Sequence, residues 1–494
     1  MFMNSLNGRR FGGPGFHTLA MLGILVLAAV LRFHGLDRTG IWLDESYSWY
    51  ETGLPFGAMY QESAASPHPP LHNFLAWPWV RLFGDSEVAL RSLPAMLGTL
   101  NVLLLYLTGR LLWGPRIALT GMVLLALSPF HVWYSQEFRP YALLALAATA
   151  YMHSVFRILL RKPAALVYNI AAGLALLFSH VFGSFLFAGV SVYLLAERLL
   201  RRDIAFDFRR WLAAQALVVA VFGPWAAILL RNSVTARIHW IPELGIYPFF
   251  SQLSSLLNGP LAATMLCLLA FYGLFSAFRG YAAGTGPSIA KCSQRMVWAL
   301  LVIWAGVPLV VTVVLSLAVT PLLINRYLIL CLPAVCLLAA SGLQCLKDRR
   351  PLYIGAILVL AVGLSTEFYR MAQRDRHQYR TVTGQVRACY RPGDLVVVMP
   401  SQIIHAVRYY WRDPAVDFLP VDDPLALQPL ARESGRIWLI RGKDPITMSK
   451  PLTDLDPGHR LTRGPGNFLG VEYHLFSDPS APGPEAVKRC GFGR

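Results

Sequence analysis

Charge is what this 494-residue chain has least of: only 14% of its residues are Asp, Glu, Lys or Arg, where a soluble protein of this length carries roughly 25%. That shortage argues against a water-soluble protein over most of the chain. No Gly-x-Gly-x-x-Gly or phosphate loop opens a helix after a strand, so no nucleotide cofactor is expected. No Cys-x-x-Cys or histidine-rich zinc spacing occurs either. Internal repeats and low-complexity segments are missing. Acids are missing too from the middle of every long apolar run, where ion-coupled transporters bury carboxylates.

What is present is a series of apolar runs of membrane-spanning length. Eleven are predicted, at about 17–33, 88–109, 115–134, 140–158, 164–179, 183–197, 211–230, 259–278, 296–317, 326–345 and 351–367. The run at 164–179 is short, and the first reads as an anchor because it lacks a small-residue cleavage site. With the N-terminus inside, the inner segments hold 18 Lys and Arg against four acids, and the outer loops hold only eight. That asymmetry sets the orientation and assigns the net charge of +17 to topology and anionic lipid rather than to nucleic acid.

The fold expected is therefore a polytopic α-helical membrane domain over residues 1–368, followed by a small outer α/β domain over 369–494. In the tail, 394–399 and 436–441 read as buried strands with a helix at 402–411 between them. The first outer loop, 34–87, is predicted to carry short interfacial helices: an amphipathic one at 54–62 and an aromatic stretch at 74–83. Cys389 and Cys490 fall in the tail, where a bridge between them is open.

The outer face then supplies the candidates for chemistry. Asp44 and Glu45 form an acid pair just beyond the first run. A carboxylate at a half-buried interface can act as a general base or metal ligand; the plainer alternative is that one of the pair caps the following helical turn. Glu137, Arg139 and Tyr141 share one outer turn, where Arg139 can clamp a phosphate and Glu137 and Tyr141 can position a sugar. Alternatively Glu137 and Arg139 are a surface pair and Tyr141 an interface anchor. Arg326, followed by Tyr327, opens the tenth run and adds positive charge to the positive end of a helix, a place that suits an anion; snorkelling is the alternative. His68 sits in a rigid His-Pro-Pro turn and can meet a metal or a phosphate, or be structural. His180, Arg231, Arg237 and His239 rank below these.

These residues, in this order, resemble the GT-C membrane glycosyltransferases. The residues that carry the likeness are the acid pair, His68-Pro69-Pro70-Leu71, Arg81 to Glu87, Arg91 to Pro94, Ser135 to Tyr141, and Asn325-Arg326-Tyr327. More narrowly they are similar to bacterial glycosyltransferase family 39, with its protein mannosyltransferase, aminoarabinose transferase and rhizobial lipopolysaccharide sugar transferase relatives. The resemblance implies a polyprenyl-phosphate-sugar donor and inverting transfer on the periplasmic side of a bacterial inner membrane. The acceptor would be lipid A, a cell-surface glycan or a protein. It makes Asp44 the catalytic acid with Glu45 beside it, and Arg139, Arg326 and Tyr327 the holders of the donor phosphate, with Glu137, Tyr141 and His68 positioning the substrate. Some relatives have an acid and a lysine where this chain has Pro67-His68, so the likeness extends neither to a divalent-cation site, which stays open, nor to an aminoarabinose donor. A lipid-linked saccharide flippase is the rival reading, and a non-enzymatic assembly protein the third.

Overall fold

The structure is a computed structural model and describes residues 14–201, 206–235, 241, 243–282, 288–373, 378–423, 436–442, 460–463 and 470–477. The chain divides into two compact units: Met1–His34 with Leu54–Gly84 and Ala89–Gln373, and Gly35–Gly53 with Asp85–Val88 and Arg374–Arg494.

The first unit is all-helical. Among the described residues nine helices are long and apolar enough to cross a membrane, from Gly15–Phe33 to Arg350–Gln373. A further apolar pair, Pro115–Ala126 and Pro129–Ser135, is bent by 63° at its break, the geometry of a broken span or a re-entrant loop. The short expected run at 164–179 forms the 15-residue helix Ala165–Ser179. The two stretches expected to lie in the interface form the short helices Phe56–Ala65 and Leu71–Phe83.

Leucine, valine and alanine cover these helices on nearly every side, so the pattern alone does not say which face packs. Small residues decide it. Where the Pro260–Ala282 helix crosses Leu332–Cys345, a Cβ on Gly342 would stand 1.8 Å from the Leu269 carbonyl oxygen, and one on Gly273 2.4 Å from Ser341 Oγ. Backbone contact of this kind is how helices associate where water supplies no driving force. Tyr141–Leu159 and the segment from Tyr327 to Leu343 are the most enclosed stretches.

The break at 127–128 is satisfied by side chains, as irregular backbone inside a bundle must be. Ser128 caps the second piece by accepting from His131 N, and Pro129 stands at its first position. Asn258 Oδ1 accepts from Ser128 Oγ at 2.7 Å and from Phe130 N at 3.1 Å. Arg32, fully buried, donates to the carbonyls of Ala28, Leu125 and Ala126 at 3.0–3.2 Å and meets His131 Nδ1 at 2.9 Å.

The second unit is built on a five-stranded sheet: β1 (Leu395–Met399), β2 (Phe418–Pro420), β3 (Arg436–Gly442), β4 (Arg460–Arg463) and β5 (Val471–Ser477), in the order β2-β1-β3-β5-β4. β1 runs parallel to both β2 and β3, and β5 pairs antiparallel with β3 and β4. The expected connecting helix is a short 3-10 turn, Ser401–Ile403, leading into Ile404–Tyr410. Period-two alternation sorts the faces. Val396, Val398, Trp438 and Ile440 pack under the helices Tyr379–Cys389 and Ile404–Tyr410, while Val397, Met399, Ile437 and Leu439 form the other face. Leu43 packs against the first of these cores, which brings the 35–53 segment into this unit. Cys389 is buried there; Cys490 lies outside the described residues.

Candidate active site

Three turns of the first unit carry Glu137, Arg139 and Tyr141, then Arg326 and Tyr327, then His180. The first follows the Pro129–Ser135 helix, where Gln136 Nε2 donates to the carbonyls of Leu31, Arg32 and His34 at 2.9–3.2 Å and ties the turn to the first helix. A tight bend, Arg139 N to Glu137 O at 2.6 Å, then feeds Pro140 and the Tyr141–Leu159 helix. Glu137, Phe138 and Tyr141 are buried and Arg139 half-buried.

The second turn is the 3-10 segment Asn325–Cys331. Asn325 anchors it, its backbone N–H donating to Gln252 Oε1 and its Nδ2 to Ser255 Oγ, both at 2.9 Å. The Arg326 guanidinium then lies 5.7 Å from the Tyr141 ring and 5.6 Å from the Tyr327 ring, and the two tyrosine rings are 6.2 Å apart.

His180 closes the third turn. It leaves the Ala165–Ser179 helix in extended backbone, and its Nδ1 accepts from Phe182 N at 3.2 Å. The neutral ring therefore carries its proton on Nε2, and this buried nitrogen has no hydrogen-bond partner among the described residues. The ring is 5.0 Å from Tyr327, 6.3 Å from Tyr141 and 5.7 Å from His68.

Both histidines are held neutral. Burial, and then Arg139 and Arg326, lower His68 to about 3. The same burial, His68 and the two arginines push His180 well below the ordinary range. His72, whose ring meets Phe138 at 5.2 Å, is lowered to about 3 by burial and Arg139. Two arginines, two tyrosines and neutral N–H donors form the chemistry of an anion site, with bidentate charge at the arginines and directional donors beside it.

The acid pair belongs to the second unit, on the first turn of the Leu43–Gly53 helix. Glu45 is fully buried and its Oε2 accepts from Trp42 N at 3.4 Å, the reach-back contact of a helix start. Asp44 is half-buried on the same turn. Arg231 is exposed on the Phe208–Thr235 helix, and Arg237 and His239 lie outside the described residues. Among the described residues no three His, Cys, Asp or Glu side chains converge as a cation-binding set. A single histidine between two apolar runs has no local signal in the sequence; the one cue to His180 is a place on the same face as the other two turns.

Residues 67–228 match the family model described as dolichyl-phosphate-mannose-protein mannosyltransferase. ArnT from Cupriavidus metallidurans superposes with a TM-score of 0.64 at 16% identity, over 92% of this chain and 97% of that one. The chain shares the fold of this structure. A second structure of ArnT, bound to undecaprenyl phosphate, has a TM-score of 0.61 over 96% of this chain and all of the other, again at 16% identity. The oligosaccharyltransferase of Archaeoglobus fulgidus has a TM-score of 0.57 at 12% identity, over 96% of this chain and 76% of that one. No protein of curated function matches in sequence. The stretch that matches the family model contains His68, Glu137, Arg139, Tyr141 and His180.

Proposed function

We propose that this enzyme transfers a sugar from a polyprenyl-phosphate donor to an acceptor hydroxyl, with inversion. One observation carries the phosphate part of the reading. Arg139, Arg326, His68 and His180 converge beside Tyr141 and Tyr327. In this reading the acceptor oxygen attacks the anomeric carbon as its proton passes to Asp44. The bond from that carbon to the phosphate oxygen breaks, and the electron pair leaves on the phosphate.

Charge rises on the phosphate through this step, and fixed guanidinium groups stabilise such charge without reorganising. His180 Nε2–H adds a neutral donor to the same group. Tyr327 walls the phosphate site, Glu137 and Tyr141 position the sugar, and Glu45 holds the start of the Asp44 helix. Lipid-linked donors suit a protein whose first unit is mostly spanning helices. The reaction is assigned to the periplasmic face of an inner membrane, with the N-terminus cytoplasmic and the tail periplasmic. This follows the Lys and Arg asymmetry of the loops. Lipid A, a surface glycan and a protein are the acceptor classes.

The test is release of labelled sugar from a panel of undecaprenyl-phosphate sugars by detergent-purified wild type and Asp44→Asn, with membrane extract as acceptor. Turnover in the wild type that disappears in Asp44→Asn, with undecaprenyl phosphate still bound, supports the reading. Full activity of Asp44→Asn removes Asp44 from the chemistry.

A further inference from the structure

The Leu43–Gly53 helix, with the sequence Leu-Asp-Glu-Ser-Tyr-Ser-Trp-Tyr-Glu-Thr-Gly, has no aliphatic stripe that would fix it by burial alone. It is held instead by polar and aromatic contacts that come from the C-terminal tail. Tyr47 meets the His405 ring edge-on at 5.0 Å, and Tyr50 stacks on the same ring at 4.0 Å. Trp49 packs edge-on against Tyr409 at 5.2 Å, and its Nε1 donates to Asp85 Oδ2 at 2.9 Å. Arg412 donates to that same carboxylate oxygen at 2.7 Å while lying over both rings, and Tyr409 OH donates to Asp85 O at 2.9 Å.

The strand of chain leading into the helix is pinned the same way. Tyr410 OH accepts from Ile41 N at 2.5 Å. Arg380 donates to the Asp37 carbonyl at 2.9 Å and pairs with the Glu87 carboxylate. A Cβ on Gly40 would stand 3.0 Å from the Tyr410 hydroxyl and 3.4 Å from Arg380 Cβ, so only a small residue lets the chain approach this closely. All of these groups lie in the second unit.

We propose that the tail is a positioning module for the transfer: Tyr410, Arg380, Tyr409 and His405 fix residues 35–53 and so place the Asp44 carboxylate. The inference rests on Asp44 acting as the base. A base acts only within hydrogen-bond reach of its proton, and a displacement of about 1 Å costs on the order of a hundredfold in rate. A helix that cannot anchor itself therefore needs an outside support, and the tail supplies it from more than 300 residues away in sequence. The tail residues touch no reacting atom in this account; they act through the segment they hold.

The experiment uses the full-length protein in detergent as wild type, Asp44→Asn, Tyr410→Phe, Arg380→Ala and Arg380→Lys. Three quantities are read: amide hydrogen exchange over residues 35–53, kcat and KM for the donor that turns over, and Kd for undecaprenyl phosphate. Tyr410→Phe and Arg380→Ala should speed exchange in that segment and lower kcat on the order of ten- to a hundredfold. Donor KM and undecaprenyl phosphate Kd should stay as in the wild type, and Arg380→Lys should recover part of the rate. Unchanged exchange or unchanged kcat overturns the proposal. So does a rate loss matched by an equal loss of undecaprenyl phosphate binding, because that marks general unfolding. If Asp44→Asn keeps full turnover, the base assignment fails; if it is inactive while Tyr410→Phe is not, only the positioning role fails.

Discussion

Tyr410 donates its hydroxyl to Glu87 Oε1 at 2.5 Å, and the carboxylate it meets is also the partner of Arg380. One acid thus gathers two tail side chains that in turn hold the backbone at Asp37 and Ile41. Burial and the neighbouring Glu87 both push the Tyr410 phenol upward, so it remains a donor at every working pH.

Glu87→Gln keeps an acceptor for Tyr410 but removes the charge that Arg380 meets. Hydrogen bonds to charged groups contribute roughly 1.5–3 kcal/mol, and the half-exposed Arg380 brings the loss toward the lower end of that range. A thermal midpoint lowered by a few degrees, measured in detergent, is the expected result. An unchanged midpoint would show that the pair is screened out.

Arg326→Ala removes one guanidinium from the anion site and should weaken undecaprenyl phosphate binding roughly ten- to a hundredfold, the equivalent of one charge-assisted hydrogen bond. Arg210→Ala, which removes an exposed surface pair with Asp207, should leave binding as it is. Equilibrium binding of the labelled lipid phosphate compares the two. Equal losses would deny Arg326 any special place.

His180→Phe keeps the ring packing against Tyr327 and deletes the Nε2 donor. Binding of undecaprenyl phosphate should weaken about tenfold, the lower end of what a single hydrogen bond to a charged acceptor contributes. His180→Gln, which can still donate, should lose less. If Phe and Gln bind alike, the donor role is lost.

His405 is lowered to about 4 by burial and by Arg408. Its folded value lies below its unfolded one, so the unfolded chain takes up a proton that the folded chain refuses. The contribution of the neutral ring is complete above about pH 6.5 and declines as the pH falls toward 4. The thermal midpoint of the wild type should fall over that window, and His405→Phe, which stacks on Tyr50 without titrating, should flatten the fall. A parallel fall in the two proteins would assign the acid sensitivity elsewhere.

Gly342→Ala puts a methyl against the Leu269 carbonyl. Overpacking of this kind costs about 1–3 kcal/mol, and because the obstacle is backbone the two helices must part. A lower folded yield with unchanged donor specificity is expected on chromatography.

The spans were legible because length and apolarity alone mark a membrane helix, and every one of the eleven expected runs is helical. The break at 127–128 was harder to see, although Ser128-Pro129 is a helix-start pair, because apolar residues continue on both sides of it. Glu137, Arg139 and Tyr141 could be grouped in advance since they share one turn. His180 could not, because its neighbours are residues of three other segments. The contacts of Glu87 and Ile41 with Tyr410 left no trace in local pattern. A tyrosine in a tail helix and a glutamate more than 300 residues earlier look ordinary until the chain is folded.

Arg32 has a consequence for the order of synthesis. Of the three carbonyls it holds, only that of Ala28 exists when the first helix emerges from the ribosome; the other two belong to residues 93 and 94 positions later. Chains are made from the N-terminus at a finite rate, so the contacts of Arg32 with Leu125 and Ala126 can form only after residue 126 has been made. The final seat of the first helix is thus made only when the bent helix pair arrives.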